Sequence, residues 1–232
     1  MEYKYQLHIH TASCSLCGHI TPQDLCQGLL DCGYQGAVIT NHFLHGNTAL
    51  DRTLPWAEFV RAYEEDYLAC KAEAEKYDLD IIFGIEEVVF PGLELLCYGI
   101  TPEILYQHPE LRDCPIGEWV SIMRENGVVL IQAHPYRKAG YIPSPGPLPM
   151  EYYDGIEIYN RGNPLPEYNE RAMALASDHP HLITTSAADA HTADRVGCGG
   201  IITTERIRTP EDLARILRTK AFTPILPEEY QK

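Results

Sequence analysis

Short apolar runs alternate along the chain with amphipathic stretches, a pattern typical of strands separated by helices. The runs predict eight strands, over Tyr3–His10, Gly36–Thr40, Asp80–Ile85, Leu93–Tyr98, Val128–Ala133, Gly155–Tyr159, Leu182–Ser186 and Gly200–Thr203. Alternation of this kind indicates parallel strands with helical crossovers, and about seven or eight units favour a barrel over an open sheet. We see no internal repeat, low-complexity tract or linker, so we expect one α/β domain over residues 1–232.

Three of the predicted helices begin at a Thr-Pro pair followed by acidic residues, at Thr21, Thr101 and Thr209. Threonine suits the N-cap, proline the first helical position, and an acidic first turn complements the helix dipole. A further helix is predicted from Ile116 to Asn126, and the longest spans Trp56–Tyr77. The acidic face of that longest helix, which we expect to be solvent-exposed, comprises Glu64, Glu65, Asp66, Glu73 and Glu75.

One long irregular segment, Arg137–Tyr152, is rich in proline and glycine and follows a strand that carries His134. Long loops in compact domains are often functional, so a lid or substrate-binding loop is one interpretation. A surface loop without a function is the alternative.

Composition limits the classes of partner. Apolar residues make up 45% of the chain. The formal net charge is −15, and this negative charge argues against nucleic-acid binding through a broad basic surface. An anionic small molecule stays possible, because bound divalent cations would reverse the local field. No apolar run could span a bilayer and no secretory signal is visible, so we expect a cytoplasmic protein that does not bind membranes. The eight cysteines then suit free thiols or metal ligands better than a disulfide framework.

Two histidines in the first predicted strand, His8 and His10, are the most informative residues of the sequence. Residues i and i+2 of a strand point to the same side, so both imidazoles converge on one point, as a metal site needs. Functional residues of parallel barrels lie at the C-terminal strand ends. That rule adds His42, Glu86, Glu87, His134, Glu157, Asp189 and His191. Four other histidines fall in predicted loops or helix ends, where we expect them exposed and without partners: His45, His108, His179 and His181.

The order of these residues resembles the PHP family, the polymerase and histidinol phosphatase superfamily of metal-dependent phosphoesterases. The matching motifs are His8-x-His10, Thr40-Asn41-His42, Gly84-Ile85-Glu86, Ala133-His134-Pro135, Glu157-Ile158-Tyr159-Asn160 and Ala188-Asp189-Ala190-His191. Each is short, but their combination in this order is specific. The resemblance, closest to single-domain histidinol-phosphatase-like members, implies a distorted (βα)7 TIM-like barrel. It also implies two or three divalent metals at the C-terminal face of the strands.

Carried over position by position, the resemblance implies three metal sites. The first would be held by His8, His10, Glu86 and Asp189. Glu86 would bridge to a second metal that His134 also binds, and His42 and His191 would hold the third. Glu87 is the alternative bridging acid, although Glu86 matches the G-x-E spacing.

The sequence departs from the family pattern at three points. Asn41 replaces an aspartate next to His42, which removes a charge beside the site. Glu94 stands where the family has a histidine, and since a carboxylate also binds Zn²⁺ or Mn²⁺, we treat Glu94 as a ligand. The remaining ligand to the third metal is Cys17 or, as the alternative, His19; a thiolate would favour zinc or iron over magnesium.

The resemblance implies attack on phosphorus by a hydroxide that two metals share along with Glu86. The candidate catalytic residues are Glu86, Asp189, His191, Arg161 and Arg195. Arg161 and Arg195 adjoin ligand motifs and could clamp the phosphate, because a guanidinium group binds phosphate in a bidentate way. Arg137 is a third candidate.

The short separation of Glu94 and His134 leaves no room for an inserted substrate domain, which favours a small phosphorylated metabolite as substrate. The carboxylate and thiolate ligands favour Zn, Mn or Fe as the metal. Two other functions stay open. The departures at Asn41 and Glu94 suit a metal-binding pseudoenzyme or regulatory domain. The other function is that of a barrel amidohydrolase. Such sites commonly use a lysine, and the sequence has none in the predicted strands Asp80–Ile85 and Val128–Ala133.

Overall fold

The computed structural model describes residues 2–230, which form one mixed sheet surrounded by helices. The strands are β1 (Tyr3–Gln6), β2 (Gly36–Ile39), β3 (Asp80–Phe90), β4 (Leu93–Tyr98), β5 (Val129–Gln132), β6 (Gly155–Asn160), β7 (Ile183–Ala187), β8 (Ile201–Thr203) and β9 (Thr223–Pro224). Their order across the sheet is β7, β6, β5, β4, β3, β2, β1, β8, β9. All eight predicted strands are confirmed, although β1 ends earlier, at Gln6, and β3 continues to Phe90.

The sheet curls until its β7 side meets the segment that follows β1. Ala190 donates its backbone N–H to the His8 carbonyl at 3.1 Å, and its own carbonyl accepts the His10 N–H at 2.9 Å. The seven strands β1–β7 therefore enclose a nearly closed barrel, with β8 and β9 added outside β1. The predicted α/β barrel is confirmed.

One strand breaks the predicted parallel arrangement. β4 runs antiparallel to both β3 and β5, so the prediction of parallel strands throughout is wrong for β4. The physical reason is a tight connection: only Pro91 and Gly92 separate β3 from β4, and Gly92 has a φ of +73°. A connection of two residues makes a hairpin, whereas a parallel crossover needs a dozen or more. The beginning of β4 therefore lies at the same rim as the end of β3.

Six α-helices lie around the barrel: α1 (Pro22–Asp31), α2 (Trp56–Ala74), α3 (Pro102–Gln107), α4 (Ile116–Glu125), α5 (Pro166–Asp178) and α6 (Pro210–Thr219). The three predicted threonine N-caps are confirmed, since Thr21, Thr101 and Thr209 each accept a backbone N–H from the first turn of their helix. Within residues 2–230, no helix combines the length and hydropathy that crossing a membrane would need.

Helix α6 covers the end of the barrel where β1 begins. Its buried residues Leu213, Ile216 and Leu217 belong to the same apolar cluster as Tyr5 of β1 and Tyr98 of β4. The polar side chains of the strand ends lie at the opposite end of the barrel.

No α-helix connects β5 to β6, and the Pro- and Gly-rich segment 133–154 crosses between them instead. Gln132 anchors this segment, because its side chain accepts the Leu148 N–H at 2.8 Å and donates to the Gly146 carbonyl at 3.0 Å. Ile142 and Leu148 are buried, so the segment packs on the barrel as a fixed part of its rim.

The expected acidic face of α2 is only partly exposed, and the prediction is wrong for two of its residues. Asp66 and Glu73 are 6% and 8% exposed. Asp66 faces the segment after β1 and accepts hydrogen bonds there, whereas Glu73 accepts one from Gln23 of α1 and pairs with Lys76. Periodicity alone cannot show that neighbouring segments cover these carboxylates.

Removing the N-cap of α6 should loosen the covered end of the barrel. Thr209 Oγ1 accepts the Asp212 N–H at 3.2 Å, and we expect Thr209→Ala to lower the free energy of unfolding by about 1 kcal/mol in urea denaturation. The control is Ser121→Ala, which removes an exposed hydroxyl bonded to a carbonyl of its own helix and should change stability by less than about 0.5 kcal/mol. Equal losses in the two variants would contradict a capping role.

Candidate metal centre

A cavity of about 560 Å³ opens at the rim where β4 begins and the parallel strands end. Seven of the nine residues predicted as metal ligands line it: Cys17, His42, Glu86, Glu94, His134, Asp189 and His191. The other two, His8 and His10, are fully buried against the same group. The structure thus brings all nine predicted ligands together.

Glu86 lies at the centre of this group. Its carboxylate oxygens are 3.1 Å from His8 Nε2, 3.4 Å from His10 Nε2, 2.9 Å from His42 Nδ1 and 3.7 Å from His134 Nε2. The adjacent acid, Glu87, points to the opposite face of β3, as consecutive strand residues do. Its carboxylate accepts the backbone N–H groups of His45 and Val88, so the geometry favours Glu86 as the bridging acid.

The donor atoms of this group fit a cation. Glu86 is 1% exposed, yet neither of its carboxylate oxygens has a hydrogen-bond partner. The Nδ1 atoms of His42 and His191 are also buried and unpaired. A buried polar atom without a partner is costly, and a buried charge is more costly still. Imidazole and carboxylate donors that converge without hydrogen bonds are what a divalent cation needs.

Within residues 2–230, three sets of three residues each have donor atoms that lie within 4.8 Å of one another. They are His8, His10 and Glu86; His42, Glu86 and Glu94; and His10, Cys17 and His191. The first set agrees with the implied first site, to which Asp189 is also adjacent, with Oδ1 3.4 Å from Nε2 of both His8 and His10. His42 groups with the two glutamates, rather than only with His191 as the resemblance implies.

Glu94 reaches the site because β4 is reversed. It lies at the start of β4, and its carboxylate oxygens are 3.5 Å from His42 Nδ1 and 3.4 Å from His134 Nε2. In a parallel β4, residue 94 would lie at the opposite end of the barrel. The carboxylate therefore stands between two predicted histidine ligands.

The loop after β1 presents Cys17, not His19, to the cavity. Cys17 lines the cavity, whereas the His19 side chain is exposed and its backbone N–H donates to the His191 carbonyl at 2.8 Å. Gly18 allows this path, because a Cβ at residue 18 would lie 2.3 Å from the Thr11 carbonyl oxygen. The geometry thus favours Cys17 over His19 as the third-site donor.

Two of the predicted ligands have a left-handed backbone. His134 has a φ of +28° and Asp189 a φ of +52°, values that residues other than glycine rarely adopt. Such conformations cost free energy and cluster at functional sites, where the surrounding structure holds them. They turn both side chains into the cavity at the ends of β5 and β7.

Glu157 orients two of the histidines, a role that motif matching did not assign to it. Its Oε1 lies 2.8 Å from His8 Nδ1, and its Oε2 accepts the backbone N–H of His134 at 2.9 Å. Asn160 Nδ2 donates to the same carboxylate at 2.8 Å. A carboxylate bound to Nδ1 fixes the tautomer and leaves Nε2 free for a metal. Its position at the end of β6 is the feature that identifies it in the sequence.

Burial and neighbouring charges shift the pKa values of Glu86 and Glu94 in opposite directions. Burial alone would raise the pKa of Glu86, but His8 and His42 hold that pKa well below its usual range. Burial raises the pKa of Glu94 to about 8, and repulsion from Glu86 adds to the shift. Glu86 is thus the permanent anion of the pair, and Glu94 becomes a carboxylate when positive charge is added beside it.

Burial and neighbouring groups also shift the pKa values of Cys17 and His10. Burial raises the pKa of Cys17, but hydrogen bonds with His191 and His42 outweigh it and bring that pKa down to about 6. Burial lowers the pKa of His10 to about 3, and His42 adds to the effect. Cys17 therefore favours the thiolate and His10 the neutral imidazole, the forms in which each binds metal.

Of the three arginines named from the sequence, only Arg137 lines the cavity. Its Nη2 lies 2.6 Å from Asp189 Oδ2 and donates to Asn160 Oδ1 at 2.8 Å. Arg161 is exposed in a separate cavity behind Tyr159, and Arg195 pairs with Asp194 on the surface. Neither Arg161 nor Arg195 lines the cavity, so the geometry favours Arg137 over both, and their role as phosphate clamps stays a prediction.

His45 has a partner, contrary to the expectation from sequence. Its Nδ1 lies 3.4 Å from Glu87 Oε1, and its half-exposed ring forms part of the cavity wall. Glu87 raises the pKa of His45 through this contact. Arg52, which the sequence did not single out, also lines the cavity and donates to the Gly46 carbonyl. These two residues add positive charge to the mouth of an otherwise acidic site.

Comparison with known proteins agrees with this geometry. Residues 166–221, from α5 through α6, match the PHP_C family model, described as PHP-associated. No curated protein matches the sequence. PsfC from Pseudomonas syringae PB-5123 is similar in structure, with 14% identity, a TM-score of 0.63 and coverage of 98% of this chain and 93% of PsfC. The chain shares the fold of PsfC, and the match to the PHP-associated model is consistent with the PHP-family fold that the sequence resembles.

Two further solved structures share this fold. One is a candidate metal-dependent phosphoesterase from Bifidobacterium adolescentis, with 15% identity, a TM-score of 0.54 and coverage of 84% of this chain and 89% of that one. The other is an amidohydrolase from Chromobacterium violaceum with bound sulfate and no metal, with 13% identity, a TM-score of 0.55 and coverage of 84% and 90%. Identities this low establish the fold alone, so the chemistry has to be argued from the residues of this chain.

Replacing Glu86 should remove metal while the fold persists. Glu86 contributes to two of the three donor sets, so we expect Glu86→Gln to retain less than about half of the native zinc after reconstitution and dialysis, measured by elemental analysis. Glu87→Gln is the matched control, since Glu87 lies outside the cavity and should leave the zinc content unchanged. A loss in Glu87→Gln with full retention in Glu86→Gln would reverse the assignment.

The choice between Cys17 and His19 can be read from a spectrum. Cobalt bound to a thiolate shows a charge-transfer band in the near ultraviolet, and Cys17 is the thiol that lines the cavity. We expect this band in the cobalt-reconstituted protein and in His19→Ala, and its loss in Cys17→Ser. If His19→Ala abolished the band and Cys17→Ser kept it, the placement of the loop would be wrong.

Proposed function

We propose that this protein is a metal-dependent hydrolase of small phosphomonoesters. The observation that carries the proposal is the buried Glu86 carboxylate, which has no hydrogen-bond partner and is surrounded by four imidazoles within 3.7 Å. Added positive charge is what such a group lacks. The donor set of histidine, carboxylate and thiolate suits Zn, Mn or Fe better than magnesium, which prefers oxygen ligands in octahedral geometry.

Divalent cations held here would supply an activated water and neutralise phosphoryl oxygens, the two contributions that metal-assisted phosphate hydrolysis needs. His8, His10, Glu86 and Asp189 would hold the first cation. His42, Glu86, Glu94 and His134 would hold the second, and Cys17 and His191, which group with His10, would hold the third. Two or three cations would also reverse the local negative field at the cavity, where a chain with a net charge of −15 would otherwise repel an anion.

Arg137 is the protein group best placed to orient a phosphate. Its guanidinium is held rigidly by Asn160 and Asn163, with Asn163 Oδ1 accepting its Nε–H at 3.0 Å. The guanidinium therefore reaches the cavity without the entropy cost of ordering a long side chain. Arg52 at the mouth adds a second, more exposed positive group. Both features favour an anionic substrate.

The departures from the family pattern at Asn41 and Glu94 do not remove a metal-ligand donor from the cavity, which weighs against a pseudoenzyme. Glu94 places a carboxylate between His42 and His134, and Asn41 does not line the cavity. An amidohydrolase remains the second interpretation because one structural neighbour carries that name. Among the described residues, those that line the cavity include no lysine, and they include two arginines, which favours the phosphoester.

The first experiment measures metal and turnover together. Protein purified without chelator should contain two to three equivalents of Zn, Mn or Fe and should hydrolyse members of a panel of small phosphomonoesters. Asp189→Asn should abolish turnover without unfolding the protein, because Asp189 contacts His8, His10 and His191. Full metal occupancy with no hydrolysis across monoesters, diesters and amides would instead support a metal-binding pseudoenzyme.

The arginines offer a sharper test. Because Arg137 alone of the three lines the cavity, we expect Arg137→Gln to lower kcat/KM for a phosphomonoester by about 100-fold. Arg161→Gln and Arg195→Gln are matched controls on the same rim and should stay within about threefold of the native enzyme. A large loss in Arg195→Gln with native kinetics in Arg137→Gln would show that another guanidinium binds the phosphate.

A further inference from the structure

Asn41, which stands where the family has an aspartate, is part of a buried hydrogen-bond chain. Its side chain is almost fully buried beside the metal cavity. Asn41 Oδ1 accepts the backbone N–H of Thr11 at 2.7 Å and the hydroxyl of Ser15 at 2.9 Å. Its amide group therefore joins the end of β2 to the loop that follows β1.

The amide nitrogen of Asn41 is bound to a carboxylate from a distant part of the chain. Asn41 Nδ2 donates to Asp66 Oδ2 at 2.8 Å and to Thr11 Oγ1 at 2.6 Å, and the Thr11 hydroxyl donates to the same Asp66 oxygen at 2.5 Å. Asp66 lies on α2, on the face expected to be solvated, and is 6% exposed. Helix α2 thus supplies a buried acid directly beside Asn41 at the end of β2.

These contacts determine the direction of every hydrogen bond that follows. Because the backbone N–H of Thr11 can only donate, Asn41 must direct its carbonyl oxygen toward Thr11 and Ser15 and its NH₂ toward Asp66. The Ser15 hydroxyl donates to that oxygen, so its own lone pairs are left to accept. They receive the backbone N–H of His42 at 3.0 Å and face His10 Nδ1 at 3.3 Å. His10 must then carry its proton on Nδ1, which leaves Nε2 free for a cation.

We propose that Asp66 and Asn41 together act as positioning residues for the metal centre, holding His10 in the metal-binding tautomer through Ser15. In this chain α2 supplies the buried carboxylate, and Asn41 is the neutral donor that faces it. An aspartate at position 41 would put two carboxylates 2.8 Å apart in a buried site, where they repel. Residues 41 and 66 are therefore coupled: one is the acid and the other the amide.

The test exchanges the two groups and measures zinc affinity. Stripped, full-length protein is titrated with zinc against a competing chelator for Asn41→Asp, Asp66→Ala, Asp66→Asn and the double variant Asn41→Asp/Asp66→Asn. Outer-shell partners of metal ligands are typically worth about 10- to 100-fold in metal affinity. We expect losses of at least about 10-fold in Asn41→Asp and Asp66→Ala. We expect the zinc affinity of the double variant to return to within about threefold of the native value, because this variant restores one acid and one amide.

Glu73→Ala is the matched control. Glu73 is a buried acid on the same helix, bonded to Gln23 and Lys76 and not to the metal centre. It should keep native zinc affinity even if its removal lowers the melting temperature. Nitrogen-15 NMR of the histidine rings adds a readout that stability alone would not move: His10 should be protonated on Nδ1 in the native apoprotein and mixed in Asp66→Ala.

Native zinc affinity in Asp66→Ala would overturn the proposal. A double variant that binds zinc as weakly as Asn41→Asp would also overturn it, because the effect at position 41 would then not arise from the charge on α2. The inference rests on the proposed metal centre but not on the proposed reaction. If zinc binds tightly and follows this pattern while no phosphoester is hydrolysed, the proposed function fails and the coupling stands.

Discussion

The buried carboxylate of Glu86 is the constraint around which the rest of the structure is arranged. A fully buried anion is expensive unless opposite charge and directed donors surround it, and removing its partners would leave the charge uncompensated. In this protein the nearest groups are imidazoles that do not hydrogen-bond to it, so the carboxylate is held in place without being satisfied. Opposite charge stabilises such a group, which favours a metal centre over a polar core at this strand-end rim.

The barrel gathers donors that are far apart in sequence. Closure between the segment after β1 and the segment after β7 brings His8 and His10 against Asp189. The reversal of β4 adds Glu94 from the hairpin, at a point where a uniform run of parallel units would have placed it at the other end. The plug formed by α6 excludes water from the opposite end, so one rim alone is left for polar chemistry.

Groups that do not line the cavity account for much of its order. Glu157 fixes the ring of His8 and the backbone of His134, and Asp66 acts on His10 through Asn41 and Ser15. Both are buried acids that accept hydrogen bonds from more than one partner. They hold imidazoles in defined tautomers before a cation arrives, so the cost of orienting the ligands is met during folding and not on binding.

The sequence by itself determined the parts that depend on local pattern. Short apolar runs located the eight predicted strands and the Thr-Pro pairs located three helix starts. Polar residues in or after apolar runs identified seven of the nine candidate ligands, and the family resemblance added Cys17 and Glu94. Each of these follows from contacts between residues close along the chain. Only the tertiary structure decided that Glu86 and Cys17 face the cavity where Glu87 and His19 do not, that Arg137 is there in place of Arg161 and Arg195, and that Asp66 is buried. These outcomes depend on which way a loop turns, which strand reverses and which helix face is covered, and such contacts join residues that no local pattern connects.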